Sequence, residues 1–176
     1  MELHQLSITY EASADRLLLK LRGRGGEQLA AWLTRRLMQR LWPVLQGVVT
    51  DMAAAALPAG AHADPDAKAM LSEMRRAEAV QQADFRTPFE TQAAAYPIGQ
   101  EPLLIHEATL TPLAGRRLDL GFKAADGRSF QLQLAEDMAQ AWVHLTEKAL
   151  AASEWSVPLS GGEPKSLPTP SPSQFH

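Results

Sequence analysis

The feature that most constrains this chain is an internal similarity. Slid along itself by 101 positions without a gap, Arg16-Leu17-Leu18-Leu19-Lys20-Leu21 falls on Arg117-Leu118-Asp119-Leu120-Gly121-Phe122. Gly25-Gly26 falls on Asp126-Gly127, and Leu29, Ala31 and Leu33 fall on Phe130, Leu132 and Leu134. Identities are few; what recurs is a pattern. Each stretch alternates apolar and polar residues, turns at glycine, alternates again, and then changes to helical spacing. A period of two giving way to one of 3.6 is a hairpin entering a helix.

Each copy also has a preceding strand. In the first it holds Leu6, Ile8 and Tyr10 on one side; in the second, Leu104, His106, Ala108 and Leu110, with a connecting loop one residue longer. The expected fold is therefore α+β: two tandem strand-strand-strand-helix repeats, an antiparallel sheet covered by helices, with a helical insertion between them. The boundaries fall at 1–54, 55–101 and 102–156, and a Pro/Ser-rich stretch, 157–176, reads as a flexible tail. The copies are expected to associate about a pseudo-twofold axis, as one continuous sheet or as two layers.

The first helix starts after Thr34, a good N-cap, with Leu37, Leu41, Val44, Leu45, Val48 and Met52 on its buried stripe. Pro43 should kink or split it. The second starts near Ala135 and buries Met138, Ala141, Trp142, Leu145 and Ala149. The insertion opens with a loop at Pro58–His62. Asp64-Pro65 then begins a third helix, whose apolar stripe reads Ala67, Met70, Leu71, Met74, Ala77 and Val80.

Composition then removes whole classes of function. The chain has no cysteine, which excludes disulfides, thiolate metal sites and cysteine nucleophiles. Its formal charge is −3, from 17 Lys plus Arg against 20 Asp plus Glu, unlike a dedicated nucleic-acid binder. No apolar run reaches the roughly 18 residues of a membrane span. Met1–Tyr10 lacks the basic and apolar regions of a signal peptide, so the expected location is cytoplasmic. No residue pattern calls for a cofactor or a metal. Nothing assembles a catalytic constellation, so no enzyme activity is expected.

Four features remain to be weighed as sites. His106, in phase with Leu104 and Leu110, reads as an inward, hydrogen-bonded core histidine. Arg22-Gly23-Arg24-Gly25-Gly26 reads as a flexible hairpin loop with solvated arginines, since it lacks the lysine-serine ending of a phosphate loop. Arg35 and Arg36 open a helix, where cations oppose the dipole, and their counterparts Glu136 and Asp137 carry the expected sign. With Arg16 on the same rim they form a candidate anion site; otherwise they extend into solvent or pair with acidic residues of the insertion.

The candidate partner interface is Leu18 with Trp32. Both face away from the helix, and their counterparts Asp119 and Gln133 are polar. Either the insertion covers them, through Met70, Leu71, Met74 and Phe85, or a partner does. The sequence therefore points first to a non-enzymatic protein-interaction or adaptor protein, its partner another protein or a second copy. The alternative is a binder of an anionic ligand or nucleic acid at the Arg16, Arg35, Arg36 rim.

Overall fold

A computed structural model describes residues 3–57, 64–83 and 87–156. The expected Pro58–His62 loop, Phe85 and the tail lie outside the described residues. The chain is α+β, with a six-stranded, mostly antiparallel sheet and three helices. Strands β1 (Leu3–Glu11), β2 (Arg16–Gly23) and β3 (Gln28–Thr34) lead into helix α1 (Arg35–Ala54). Helix α2 (Pro65–Gln82) follows. Strands β4 (Leu103–Leu113), β5 (Arg117–Ala124) and β6 (Ser129–Ala135) then lead into α3 (Glu136–Ala151).

The strands form one continuous sheet in chain order, which answers the choice between one sheet and two layers. Every neighbouring pair is antiparallel except β3 and β4. These run parallel, with Ala31 opposite Leu103, Trp32 opposite Leu104 and Leu33 opposite Ile105. Local geometry recurs at the expected spacing. Leu17 pairs with Leu33, and Leu118 with Leu134. Asp15 and Arg116 both adopt positive φ, 48° and 54°, and the hairpin glycines Gly26 and Gly127 do so at 82° and 88°. Glycine has no Cβ to clash in that region.

The first strand of each half departs from the expectation in an informative way. The turn after β4 is one residue shorter than the turn after β1, not longer. His4 and His106 each occupy an irregularity in the register of β1 and β4, between Leu3 and Gln5 and between Ile105 and Glu107. One extra residue there reverses the strand phase. Leu103 and Ile105 therefore face the helices with Ala108 and Leu110, while Leu104 and His106 are exposed. His106 is not a core histidine.

The core fills the space between one sheet face and helices α1 and α3. Leu17, Leu19, Leu21, Leu118 and Leu120 meet Trp42 and Trp142, with Phe122 stacked on Trp142 at 6.0 Å. Thr34 caps α1 by accepting from the Leu37 amide at 3.2 Å. Pro43 does not split α1, which runs unbroken to Ala54. The carbonyl that its ring deprives of a donor belongs to Gln39, and both residues are exposed, so water can satisfy it. Val44, expected on the buried stripe, is 52% exposed; Met38, Trp42 and Val49 are buried there instead.

Packing between the halves is reciprocal. Helix α1 lies against β3 and also against β4, while α3 lies against β5 and β6 and also against β1. Each long helix thus covers the first strand of the other half. Helix α2 packs on both α1 and α3. Its N-terminus is as expected, with Asp64 accepting from the Asp66 and Ala67 amides ahead of Pro65. Its buried face is not. Ser72 and Ala79 are buried, whereas Met70 and Met74 are exposed, because α2 turns a polar stripe toward α3.

One close approach in the sheet makes a direct prediction. Gly121 sits opposite Thr109, and a Cβ at position 121 would collide with the Thr109 hydroxyl. The corresponding pair in the first half is Lys20 with Ser7, so the large and small members are exchanged. Gly121→Val should cost roughly 1–3 kcal/mol in urea unfolding, the usual scale for overpacking. Adding Thr109→Ala should recover much of that loss.

Candidate interaction surfaces

Leu18 and Trp32 lie opposite each other on β2 and β3, on the sheet face away from α1 and α3. The parallel join sets Leu104 of β4 beside Trp32. A row Leu18–Trp32–Leu104 therefore crosses three strands. Leu18 is buried, Trp32 is half-buried and Leu104 is 43% exposed. Strand period alone places Leu104 inward; the irregularity at His106 turns it outward into this row.

The insertion does not cover this row with the residues expected to do so. Met70, Leu71 and Met74 belong to α2, which sits over the helices on the other side of the sheet. The irregular part of the insertion does reach the outer face, two side-chain rows away. Gln5, Arg22 and Gln28 are register partners there. The Glu90 amide donates to Gln5 Oε1 at 3.1 Å, and Gln28 Nε2 donates to the Glu90 carbonyl at 2.6 Å. Arg22 donates to the Gln92 carbonyl at 2.5 Å and pairs with the Glu90 carboxylate at 2.9 Å. Arg22 is therefore a fastening point for the insertion rather than a solvated loop residue. Leu18 stands four residues along β2, roughly 13 Å away.

The arginine rim is placed as expected, at the junction of β3 and α1. Arg35 and Arg36 form the first turn of α1, and Arg16 is the register partner of Thr34 just before them. Arg35 and Arg36 are exposed and Arg16 is half-buried; among the described residues none of the three forms an ion pair within 4 Å. Asp15 is nevertheless close enough for the Arg35 charge to act on it. The second half shows the same pair with its signs exchanged, since Arg116 meets Glu136 at 2.6 Å. The unusual sign of Arg35 thus has a local counterpart in Asp15, visible in the sequence once Asp15 is set against Arg116.

Asp15 also belongs to a cluster that sequence reasoning missed. Trp155, just beyond α3, is buried, and its indole Nε1 donates to Asp15 Oδ1 at 2.6 Å. The Tyr10 hydroxyl donates to the same oxygen at 2.9 Å, and the Tyr10 and Trp155 rings meet edge to face at 5.8 Å. The two hydrogen bonds, Trp155 first, hold the Asp15 carboxyl below its ordinary range, with Arg35 adding a smaller push. Hydrogen bonding to Asp15 raises the Tyr10 phenol in turn.

A cleft of about 1130 Å³ runs between β1 and α3 beside this cluster. Leu6, Ile8 and Tyr10 line one wall, and Met138, Ala141 and Leu145 the other. Among the described residues, no group of three His, Asp or Glu side chains could hold a metal ion. No helix among them is long and apolar enough to cross a membrane.

Compared with protein-family models, curated proteins and solved structures, this chain finds no match in any of the three.

Proposed function

We propose that this chain is a non-enzymatic protein-interaction or adaptor protein, acting in the cytoplasm and built from a duplicated βββα module. Leu18 and Trp32 form the centre of its partner-facing surface. The observation that carries this reading is the Leu18–Trp32–Leu104 row. It stands on a sheet face whose equivalent positions in the second half, Asp119 and Gln133, are polar. A tryptophan set among aliphatic side chains and rimmed by polar ones is the usual centre of a binding surface. The duplication is supported by the matched turns, the matched register irregularities and the exchanged Asp15/Arg35 and Arg116/Glu136 pairs. The partner's contribution is an apolar side chain laid against the Trp32 ring, on another protein or a second copy of this chain.

Trp32→Ala tests this reading. A half-buried ring whose remaining surface packs against a partner should cost the free protein about 1–2 kcal/mol, short of the roughly 3–5 of a fully buried one. Association should be lost, and wild-type association should survive high salt because the contact is apolar. Urea unfolding and sedimentation on the same variant measure the two quantities. A large stability loss with association intact would return Trp32 to the core and sink the proposal, as would a variant unchanged in both.

A further inference from the structure

We infer that the exposed face of α1 is a second docking surface, for an acidic amphipathic segment of a partner protein. Arg36, Arg40 and Val44 recur every fourth residue, so they form one stripe on the helix. All three are exposed, and Val44 is the apolar end of the stripe. Arg16 and Arg35 flank its beginning. Among the described residues, Arg36 and Arg40 form no ion pair. The corresponding stripe of α3, Asp137, Ala141 and Leu145, lines the cleft against β1. The same helix face is thus turned toward the protein's own strand in one half and left open and basic in the other. In a chain of net charge −3, this local excess of positive charge is set against the overall balance.

Charge complementarity and shape select the occupant. A small anion needs donors that converge on one point, but Arg36 and Arg40 leave successive turns about 6 Å apart, on a ridge that runs about 12 Å to Val44. A nucleic-acid strand would look for aromatic faces beside the charges. The aromatic residue of this segment, Trp42, is buried. The ridge also ends on Pro43 and Val44, which offer nothing to a phosphate backbone. A polypeptide with carboxylates one helical turn apart, followed by an apolar residue at the next turn, matches all three positions. Arginine binds carboxylates in a planar, two-pronged geometry that suits such a segment.

The surface is separate from the Leu18–Trp32 row, so either proposal can fail alone. The test uses the full chain and a short labelled helical peptide with glutamates four residues apart and a leucine four residues further on. Its comparators are the same peptide with lysines for glutamates, single-stranded DNA of equal charge, and inorganic phosphate. The acidic peptide should bind at low salt and weaken as salt is raised. Arg36→Glu with Arg40→Glu should weaken it at least about tenfold, the scale of two reversed surface charge pairs. Val44→Ser should weaken it a few-fold, and Lys123→Glu, on the sheet, should leave it unchanged. The double variant should unfold no earlier than the wild type, since among the described residues neither arginine forms an ion pair and a glutamate at position 36 suits the start of a helix. The inference is overturned if the acidic peptide does not bind. It is equally overturned if Lys123→Glu weakens binding as much as the double variant, or if DNA or phosphate binds more tightly than the peptide.

Discussion

Replacing Trp155 by alanine should cost roughly 3–5 kcal/mol in urea unfolding, the scale of a large aromatic side chain lost from a buried site. The residue lies outside every regular element, yet it closes the contact between the end of α3 and the turn after β1. Its ring meets Tyr10 edge to face, and its indole donates to Asp15. Trp155→Phe separates the two roles, keeping the ring and losing the donor. It should cost only about 1–2 kcal/mol. The same cluster sets a pH dependence. Asp15 is lowered in the folded state, so its contribution is complete above its unfolded value, ordinarily about 3.9. It is lost as pH falls through the lower folded value. Tyr10 is raised, so its contribution is present below about pH 10 and lost as pH rises through the folded value. Asp15→Asn should flatten both limbs of the stability profile, and a profile unchanged by that substitution would show that the cluster does not couple to folding.

Gln140→Leu should destabilise by about 2–3 kcal/mol, because it strands polar partners rather than because it empties space. Gln140 is fully buried in α3, where its Nε2 donates to Ser72 Oγ and its Oε1 accepts from Arg76 Nε, both at 3.4 Å. Arg76 also pairs with Glu147 at 2.6 Å. This group fixes α2, which has only two buried residues of its own. Substituting Ser72→Ala and Arg76→Met alongside Gln140→Leu should bring much of that stability back, since apolar groups of similar shape replace the buried polar atoms at little net cost and the partly exposed Glu147 carboxylate, freed of Arg76, turns to water. Amide exchange should then rise across α2, because greasy contacts hold a helix less uniquely than directed ones. A triple variant with wild-type protection in α2 would remove the orienting role from Gln140.

The hairpins, the helix starts at Thr34 and Asp64, and the recurrence of Arg16–Thr34 at Arg117–Ala135 were legible because each rests on local chemistry. Alternation, capping and turn residues act within a few positions. What was not legible came from outside that range. The extra residue at His106 reverses a strand phase, and nothing in Leu104-Ile105-His106-Glu107 announces it. The polar docking of α2 ran against its apolar stripe, since Ser72 and Arg76 have their partners some seventy residues away on α3. Of the candidate sites, the orientation of Leu18 and Trp32 followed from strand period alone, and Arg35 and Arg36 from the cap. The Tyr10–Asp15–Trp155 cluster joins residues far apart in sequence and could not be read from either neighbourhood.

The exchange of helices between halves has a consequence for synthesis. Among the described elements, β1 is synthesised before all the others and is covered by α3, which is synthesised after them. A nascent chain therefore carries Leu6, Ile8 and Tyr10 uncovered until α3 has left the ribosome. Released early, it presents an unpaired strand edge beside bare apolar side chains, the combination that invites aggregation. Truncations that stop short of Trp155 should behave as permanently unfinished chains, whereas added length between α1 and β4 leaves the contact of α3 and Trp155 with β1 and its turn untouched.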